Sequence, residues 1–569
     1  MLISAMVWMV VFVVSAGYGL MIENCLQLAA PEERNLRSPA YWLMVFYIGF
    51  ISVNVLAATL SLLMPLSWLA FVLVALPGTA LFVFTVRKKA RTAAVFPLRG
   101  GYASLFFAGA AVLLVLCLWL TSAPINNADT YIYHAQSIRW IESYPAVRGL
   151  GNFFIRLAYN SNWFVQTALF SFVWLGGFSL HVLNGLLVFT VSLYFLFEFT
   201  LSAQDSAVKF REWLGLLLIP LGLVTIGTQS SAPSTDLPVV FLAWLAGFLA
   251  LPRKSGEEIS RLRSFCIAGL LAFALVVKLS IAPMLLLALL VLWGWLRRKQ
   301  IRFALVLAVW MAAIALPWMA RNIVVSGYAI YPVEQSGLPV DWRVPPSVVE
   351  NDQRGIRAWG FHERMAPEEV LARPYIQRMR MWFAQLTFNQ KGMVLAALFS
   401  PFIAAVLASL GRLTRQEPLS LQALLVLLSF YGGFLFWGLV SPNVRFGYAY
   451  MLFLLAACLS LGLEWLLKAV KMPPLSAGLA GLAGLLVVLS LLLARAVDTR
   501  GLPWRLVIPH DYERRAVVAC TINEGKTDIF CARDYGECGY DAFPCHAWGS
   551  DYVRLRGEEL TDGFLMVLP

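Results

Sequence analysis

Two acids and a small set of cations stand where apolar segments of this chain end. Asp129 follows Asn126-Asn127-Ala128 and precedes Thr130-Tyr131-Ile132-Tyr133-His134. Asp236 stands in the turn Ser234-Thr235-Asp236-Leu237-Pro238. Two carboxylates on one face of a membrane could share a substrate or a divalent ion. Lys278, Arg321 and Arg445 also border apolar blocks. Ionisable groups beside hydrocarbon are costly, so each is a substrate-binding candidate. Three such cations are what an enzyme would need to hold a phosphate or pyrophosphate leaving group. A plainer role stands beside each one. Asp129 and Asp236 could be helix N-caps only, and Lys278 and Arg321 could snorkel to the interface. Arg445 is the most suggestive cation, because its turn, Ser441-Pro442-Asn443-Val444-Arg445, is too short to need a charge for solubility.

Read as a helix from Thr130 with Asp129 as its cap, the first run puts Tyr131, His134 and Ile138 on one face. His134 is then a further substrate-binding candidate, or simply a polar residue on an interfacial helix. Downstream, Arg148 and Arg156 alternate with aromatic and small residues as far as Trp163. That mixture suits an amphipathic lid whose arginines, Arg148 among them, grip a lipid phosphate with two hydrogen bonds. It also suits ordinary interfacial anchoring. A carboxyl at the low-dielectric interface is expected to titrate high, which favours its use as a base.

The elements that must position these residues are membrane helices. The chain is 60% hydrophobic and 13% charged, about half the charge of an ordinary soluble domain. Apolar blocks recur from end to end, near the length of about 20 residues that crosses a bilayer. They lack the alternation of barrel strands, and only helices or closed barrels satisfy their backbone in lipid. The expected fold is an all-α polytopic bundle of about 14 transmembrane helices. These are placed near 2–22, 41–62, 66–86, 103–123, 181–199, 212–228, 237–251, 264–279, 281–296, 303–320, 391–411, 419–440, 447–466 and 475–496. The first block lacks a basic flank and a cleavage site, so it reads as a retained span.

The formal charge of +12 does not point to nucleic acid, because the basic residues cluster in short loops between apolar blocks. The segments 87–99, 252–263, 297–302, 412–416 and 467–472 all fall on the cytoplasmic side in one consistent threading. The long loops 124–162 and 321–390, the N-terminus and the tail beyond about 498 then lie outside. That threading holds only if 163–179 does not cross, so it reads as interfacial or half-inserted, with Trp163, Phe164 and Trp174 as anchors.

The tail carries Cys520, Cys531, Cys538 and Cys545. Four cysteines so close together in a polar segment point to two disulfides in an oxidising compartment, with three connectivities open. A metal site using His546 is the alternative, although the spacing lacks a C-x-x-C knuckle. Three units are expected: accessory helices over 1–100, a core over 101–497 containing the outer loops, and a periplasmic tail over 498–569.

Several of these features resemble the GT-C superfamily of membrane glycosyltransferases. They are an acid just after a span in the first large outer loop (Asp129), an interfacial segment behind it, a second acid in a Ser/Thr-Asp turn (Asp236), a large later outer loop and a late outer arginine (Arg445). The stretches Ala128–His134, Arg148–Ser161 and Ala320–Pro332 look more narrowly like a group of uncharacterised bacterial GT-C-like proteins. The likeness covers about 103–470, leaving the first three helices as an addition and the cysteine tail unaccounted for. The usual paired acid is absent, since Asp129 stands alone.

The resemblance implies transfer of a sugar from a polyprenyl-phosphate carrier to a glycan, lipid or protein acceptor of the cell envelope, at the outer face of a bacterial inner membrane. In that reading Asp129 is the general base and Asp236 orients a substrate or an ion. Arg445, with Lys278 or Arg321, binds the carrier phosphate. No cofactor is certain; a divalent cation, Mg or Mn, is the one candidate. The competing readings are a glycolipid transporter or flippase, a polysaccharide polymerase or ligase, and a non-catalytic assembly subunit. A transporter would more often show internal repeats and charges near the midplane. Here the polar candidates gather at the outer ends of helices.

Overall fold

The computed structural model describes residues 1–30, 33–35, 38–89, 96–254, 256–413, 418–496, 502–549 and 551–568. Ten helices among them are long and apolar enough to cross a membrane: Leu2–Leu26, Pro39–Leu60, Trp68–Lys88, Gly100–Thr121, Leu183–Gln204, Leu279–Arg297, Ile301–Ser326, Leu421–Val440, Val444–Ala469 and Pro474–Ala496. The protein is a mostly helical, multi-pass membrane protein with a small disulfide-bearing sheet region at its C-terminal end.

The other four expected spans are helices of a different kind. The block 391–411 is a pair, Phe388–Leu398 and Ser400–Gly411, bent by 64°. The remaining three helices, Phe210–Thr225, Asp236–Ala250 and Arg261–Val277, have 16, 15 and 17 residues. Every residue of Asp236–Ala250 is buried. A helix wrapped by protein on all sides need not match the hydrocarbon thickness.

Close approach packs the first three helices. A Cβ added at Gly49 would lie 1.6 Å from the Ser15 carbonyl oxygen, and one at Gly17 1.8 Å from that of Gly78. These glycines let the backbones touch, as small residues do between membrane helices. The helix Pro39–Leu60 then reaches the centre of the molecule, where Asn54 donates to the Asn162 carbonyl at 2.8 Å.

Helix ends fix which loops share a side. Gly185, at the start of Leu183–Gln204, abuts Thr121, the last residue of Gly100–Thr121. The intervening segment therefore leaves and re-enters the bundle at one end. Its helices Asn162–Leu169 and Val173–Gly176 are too short to cross. Of the expected anchors only Trp174 is exposed, beside the exposed Leu175 and Phe178. Trp163 and Phe164 are instead core residues. The loop 321–390 is likewise ordered into the helices Pro346–Phe361, Pro367–Leu371 and Tyr375–Gln385.

The basic segments 252–263, 297–302 and 467–472 fall at the helix ends opposite Asp236, Lys278 and Arg445. Arg91 and the stretch 414–417 lie outside the described residues, as do 498–501 of the tail. At that opposite end Glu198 accepts from Arg211 (3.0 Å) and Arg253 (2.7 Å). Arg263 closes the end of Asp236–Ala250 by donating to the Leu249 and Leu251 carbonyls.

In the tail, strand Val517–Ile522 pairs antiparallel with Thr527–Ala532, which pairs parallel with Cys545–His546. Val553–Leu555 pairs antiparallel with Phe564–Met566. The disulfides are Cys520–Cys531 and Cys538–Cys545. His546 is buried against Phe153 and Phe154. The tail covers residues 147–157, whose aromatic side chains pack under Phe564, His546 and Trp548. That segment is buried core, in place of the bilayer-lying lid expected from its composition.

Candidate functional site

The first acid is delivered by an uncommon turn. Asn127 does the capping, its side chain accepting from the Thr130 amide at 3.2 Å. Asp129 makes no cap bond. Residues Thr130–His134 form a π-turn before the α-helix Ala135–Ser143 begins. A π-turn spaces hydrogen bonds five residues apart, and such turns are frequent at functional sites. Asp129 and His134 are therefore one turn apart, a relation that α-helical spacing does not give. His134 is buried between Tyr133 and Phe164, with Nδ1 3.3 Å from Thr130 Oγ1.

The second acid is tied to the first through backbone. Ser231 Oγ donates to the Pro124 carbonyl at 3.1 Å, joining the two turns. Asn184 donates to the carbonyls of Gln229, Ala232 and Ser234. Ser234 Oγ accepts from the Asp236 amide at 3.2 Å. Asp236 is thus the first residue of its helix, one position inside the cap, Thr235.

Both cations come from helix ends. Lys278 terminates Arg261–Val277, and its Nζ contacts Asp236 Oδ1. Asn443 caps Val444–Ala469 by accepting from the Arg445 amide. Tyr450 donates to the Ser280 carbonyl at 2.8 Å, locking that helix to the turn after Lys278. Arg445 Nη1 lies 2.6 Å from Asp129 Oδ2, and Nε 3.9 Å from Asp236 Oδ2. The result is an alternating tetrad, Asp129–Arg445–Asp236–Lys278. Phe446 forms one wall, with Lys278 Nζ 4.1 Å from its ring centre.

Access divides the four. The side chains of Asp129 and Arg445 are 24% and 37% exposed, while that of Asp236 is 5% exposed. Lys278, at 23% exposed, is as open as Asp129, so three members line the open edge of the site and Asp236 lies behind them. Burial alone would raise the Asp129 carboxyl, as its interfacial place leads one to expect. The neighbouring positive charges, Arg445 foremost, override that and hold it below its usual range. Burial pulls His134 down to about 4, so the ring is neutral at neutral pH.

Of the other candidates, Arg321 is not at a helix end, because Ile301–Ser326 continues past it. It is buried and donates to Asn160 Oδ1 (2.8 Å) and Ser61 Oγ (3.0 Å). Arg148 is exposed, and its guanidinium lies 5.8 Å from the Trp342 ring centre. Neither joins the tetrad. Tyr133 and Phe446, next in sequence to His134 and Arg445, flank the site, and only that adjacency marked them. As for a divalent ion, both carboxylates are already answered by a guanidinium and an ammonium. Among the described residues no three His, Cys, Asp or Glu side chains gather.

The chain has no match among curated proteins and none among solved structures. Residues 1–452, which include all four members of the tetrad, match DUF8201, a domain of unknown function, and the chain belongs to that family.

Proposed function

We propose that the protein is a GT-C-like glycosyltransferase. It would take a sugar from a polyprenyl-phosphate carrier at the outer face of the bacterial inner membrane and pass it to a cell-envelope acceptor. The observation that carries the proposal is the alternating tetrad, assembled at one end of the bundle from four separate helix termini. Two disulfides in the tail covering that same end support an oxidising, outer location. The basic loops at the opposite end support a cytoplasmic location there.

In the resting site Arg445 is bonded to Asp129. A phosphate competes for the guanidinium, which binds such oxyanions with two parallel hydrogen bonds. As Arg445 turns to the carrier phosphate, Asp129 loses the charge that most depresses its pKa, while its burial remains. Its basicity therefore rises when donor is bound. The acceptor hydroxyl oxygen attacks the anomeric carbon and the carbon–oxygen bond to phosphate breaks. The electron pair stays on the phosphate oxygen, and the acceptor proton passes to Asp129. Arg445 and Lys278 stabilise the leaving charge. Asp236 keeps Lys278 charged and aimed.

The commitment of both acids to ion pairs also favours a second reading, in which the tetrad is a latch in a transporter or a non-catalytic assembly subunit. One experiment separates them. Purified protein in nanodiscs is given a panel of polyprenyl-phosphate sugars with a membrane extract as acceptor source, and release of polyprenyl phosphate is followed. Release by wild type but not by Asp129→Asn supports the transferase. No release by folded wild type moves the latch reading ahead.

A further inference from the structure

The tail grips the helix that carries the catalytic candidate. Gln136, Arg139 and Glu142 recur every three residues and so share a face. All three engage the loop closed by Cys538–Cys545. Gln136 Nε2 donates to the Gly539 (2.9 Å) and Ala542 (2.8 Å) carbonyls, and Oε1 accepts from the Cys545 amide at 3.3 Å. Arg139 donates to the Tyr540 and Asp541 carbonyls. Glu142 accepts from the Tyr540 hydroxyl at 2.6 Å and from Ser179 Oγ at 2.8 Å.

The grip continues into the π-turn. The Gly539 amide donates to the Tyr131 carbonyl at 2.9 Å, and the Arg515 guanidinium lies 3.8 Å from the Tyr131 ring centre. Tyr131 is two residues from Asp129 and three from His134. The turn is thus held from one side by the tail, while Asp129 reaches Arg445 from the other.

We propose that the tail is a positioning clamp. Its disulfide-closed loop fixes the π-turn and thereby the placement of Asp129 against Arg445. Gln136 is the positioning residue on the core side, because it alone bonds three loop residues. A loop closed over so few residues has little freedom, so its carbonyls stay arrayed to receive Gln136 and Arg139 together. Opened, the loop must pay for that order again, and the uncommon turn loses its outside support. The clamp lies beyond residues 1–452, so a segment outside the family match sets the geometry of a site inside it.

The activity arm of the test rests on the transferase reading, and the exchange arm does not. Full-length wild type, Gln136→Ala and Cys538→Ser/Cys545→Ser are compared in nanodiscs by amide hydrogen exchange. Exchange in 130–143 should rise about tenfold in both variants, with Asp236–Ala250 unchanged as the internal check on folding. Polyprenyl-phosphate release should fall about tenfold in kcat with KM unchanged, because binding is kept and placement is lost. A merely structural role would lower the amount of folded protein and leave kcat per folded molecule alone. Unchanged exchange in 130–143 when the loop is opened overturns the clamp. Faster exchange in a protein whose wild type also releases nothing keeps the clamp and removes the transferase.

Discussion

Arg445 and Asp129, 316 residues apart in the chain, meet at 2.6 Å. Arg445 is the foremost of the positive charges that hold this acid below its usual range. Its side chain touches both acids, so its loss should disturb more than one pairing.

Removing that guanidinium should change rate and pH dependence together. With Arg445→Gln, release of carrier phosphate should fall about a hundredfold or more, the scale for losing one preorganised charge donor. Asp129, no longer held below its usual range, should titrate higher, so the acid limb of the rate profile should move to higher pH. The check is kcat/KM against pH for both proteins, which reports the free enzyme in which Arg445 is bonded to Asp129. A fall in rate with the limb unmoved would detach Asp129 from proton transfer.

Asp236 and Lys278 should behave as a pair. Asp236→Asn leaves a partly buried ammonium without its carboxylate, which should cost about 1–3 kcal/mol. Asp236→Asn with Lys278→Met should recover much of that stability and none of the activity. Thermal loss of the monodisperse protein measures the first, and carrier release the second.

The hold of the tail should depend on pH through Glu142. Burial raises this carboxyl above its ordinary 4.5, against hydrogen bonds from Tyr540 and Ser179. The docked state thus binds the proton more tightly than the undocked state. Docking is strongest at acidic pH and weakens as pH rises through the raised value. Proteolysis of the tail should be faster at alkaline than at mildly acidic pH, after correction for protease activity. Glu142→Gln should flatten the trend.

The glycine contacts of the first helices should be intolerant. Gly49→Ala would drive a methyl into the Ser15 carbonyl, at a cost of about 3 kcal/mol. Gly101→Ala has nothing within 4 Å and should be neutral. Melting of both variants against wild type tests the difference.

Much of this was legible along the chain. Ten of the fourteen expected spans coincide with helices long and apolar enough to cross, three with shorter helices and one, 391–411, with a bent pair, because hydrophobic blocks and Gly, Pro and Ser breaks are local signals. Asp129, Asp236, Lys278 and Arg445 were legible as candidates, alongside Arg321, His134 and Arg148, because charges at the ends of apolar blocks are costly and so stand out. What joins them was not. Nothing local says that Arg445 meets Asp129 while Arg321 turns to Asn160 and Ser61. The π-turn was hidden as well, since periodicity assumes an α-helix, and its outside support comes from Gly539, some 400 residues on. The aromatics of 147–157 look like an interfacial belt until the tail that covers them is placed.

The 15-residue helix Asp236–Ala250 has a consequence for depth. Such a helix rises about 22 Å, against a hydrocarbon layer of about 30 Å. Its far end is pinned among Arg263, Arg253 and Glu198, charges that belong near the polar boundary. Asp236, and the tetrad with it, is then recessed below the opposite surface. Lifting an isoprenoid out of the acyl layer would cost about 0.8 kcal/mol for each methylene exposed. In the proposed transferase a recessed tetrad would lower that cost, because the carrier phosphate would have less far to rise from the acyl layer.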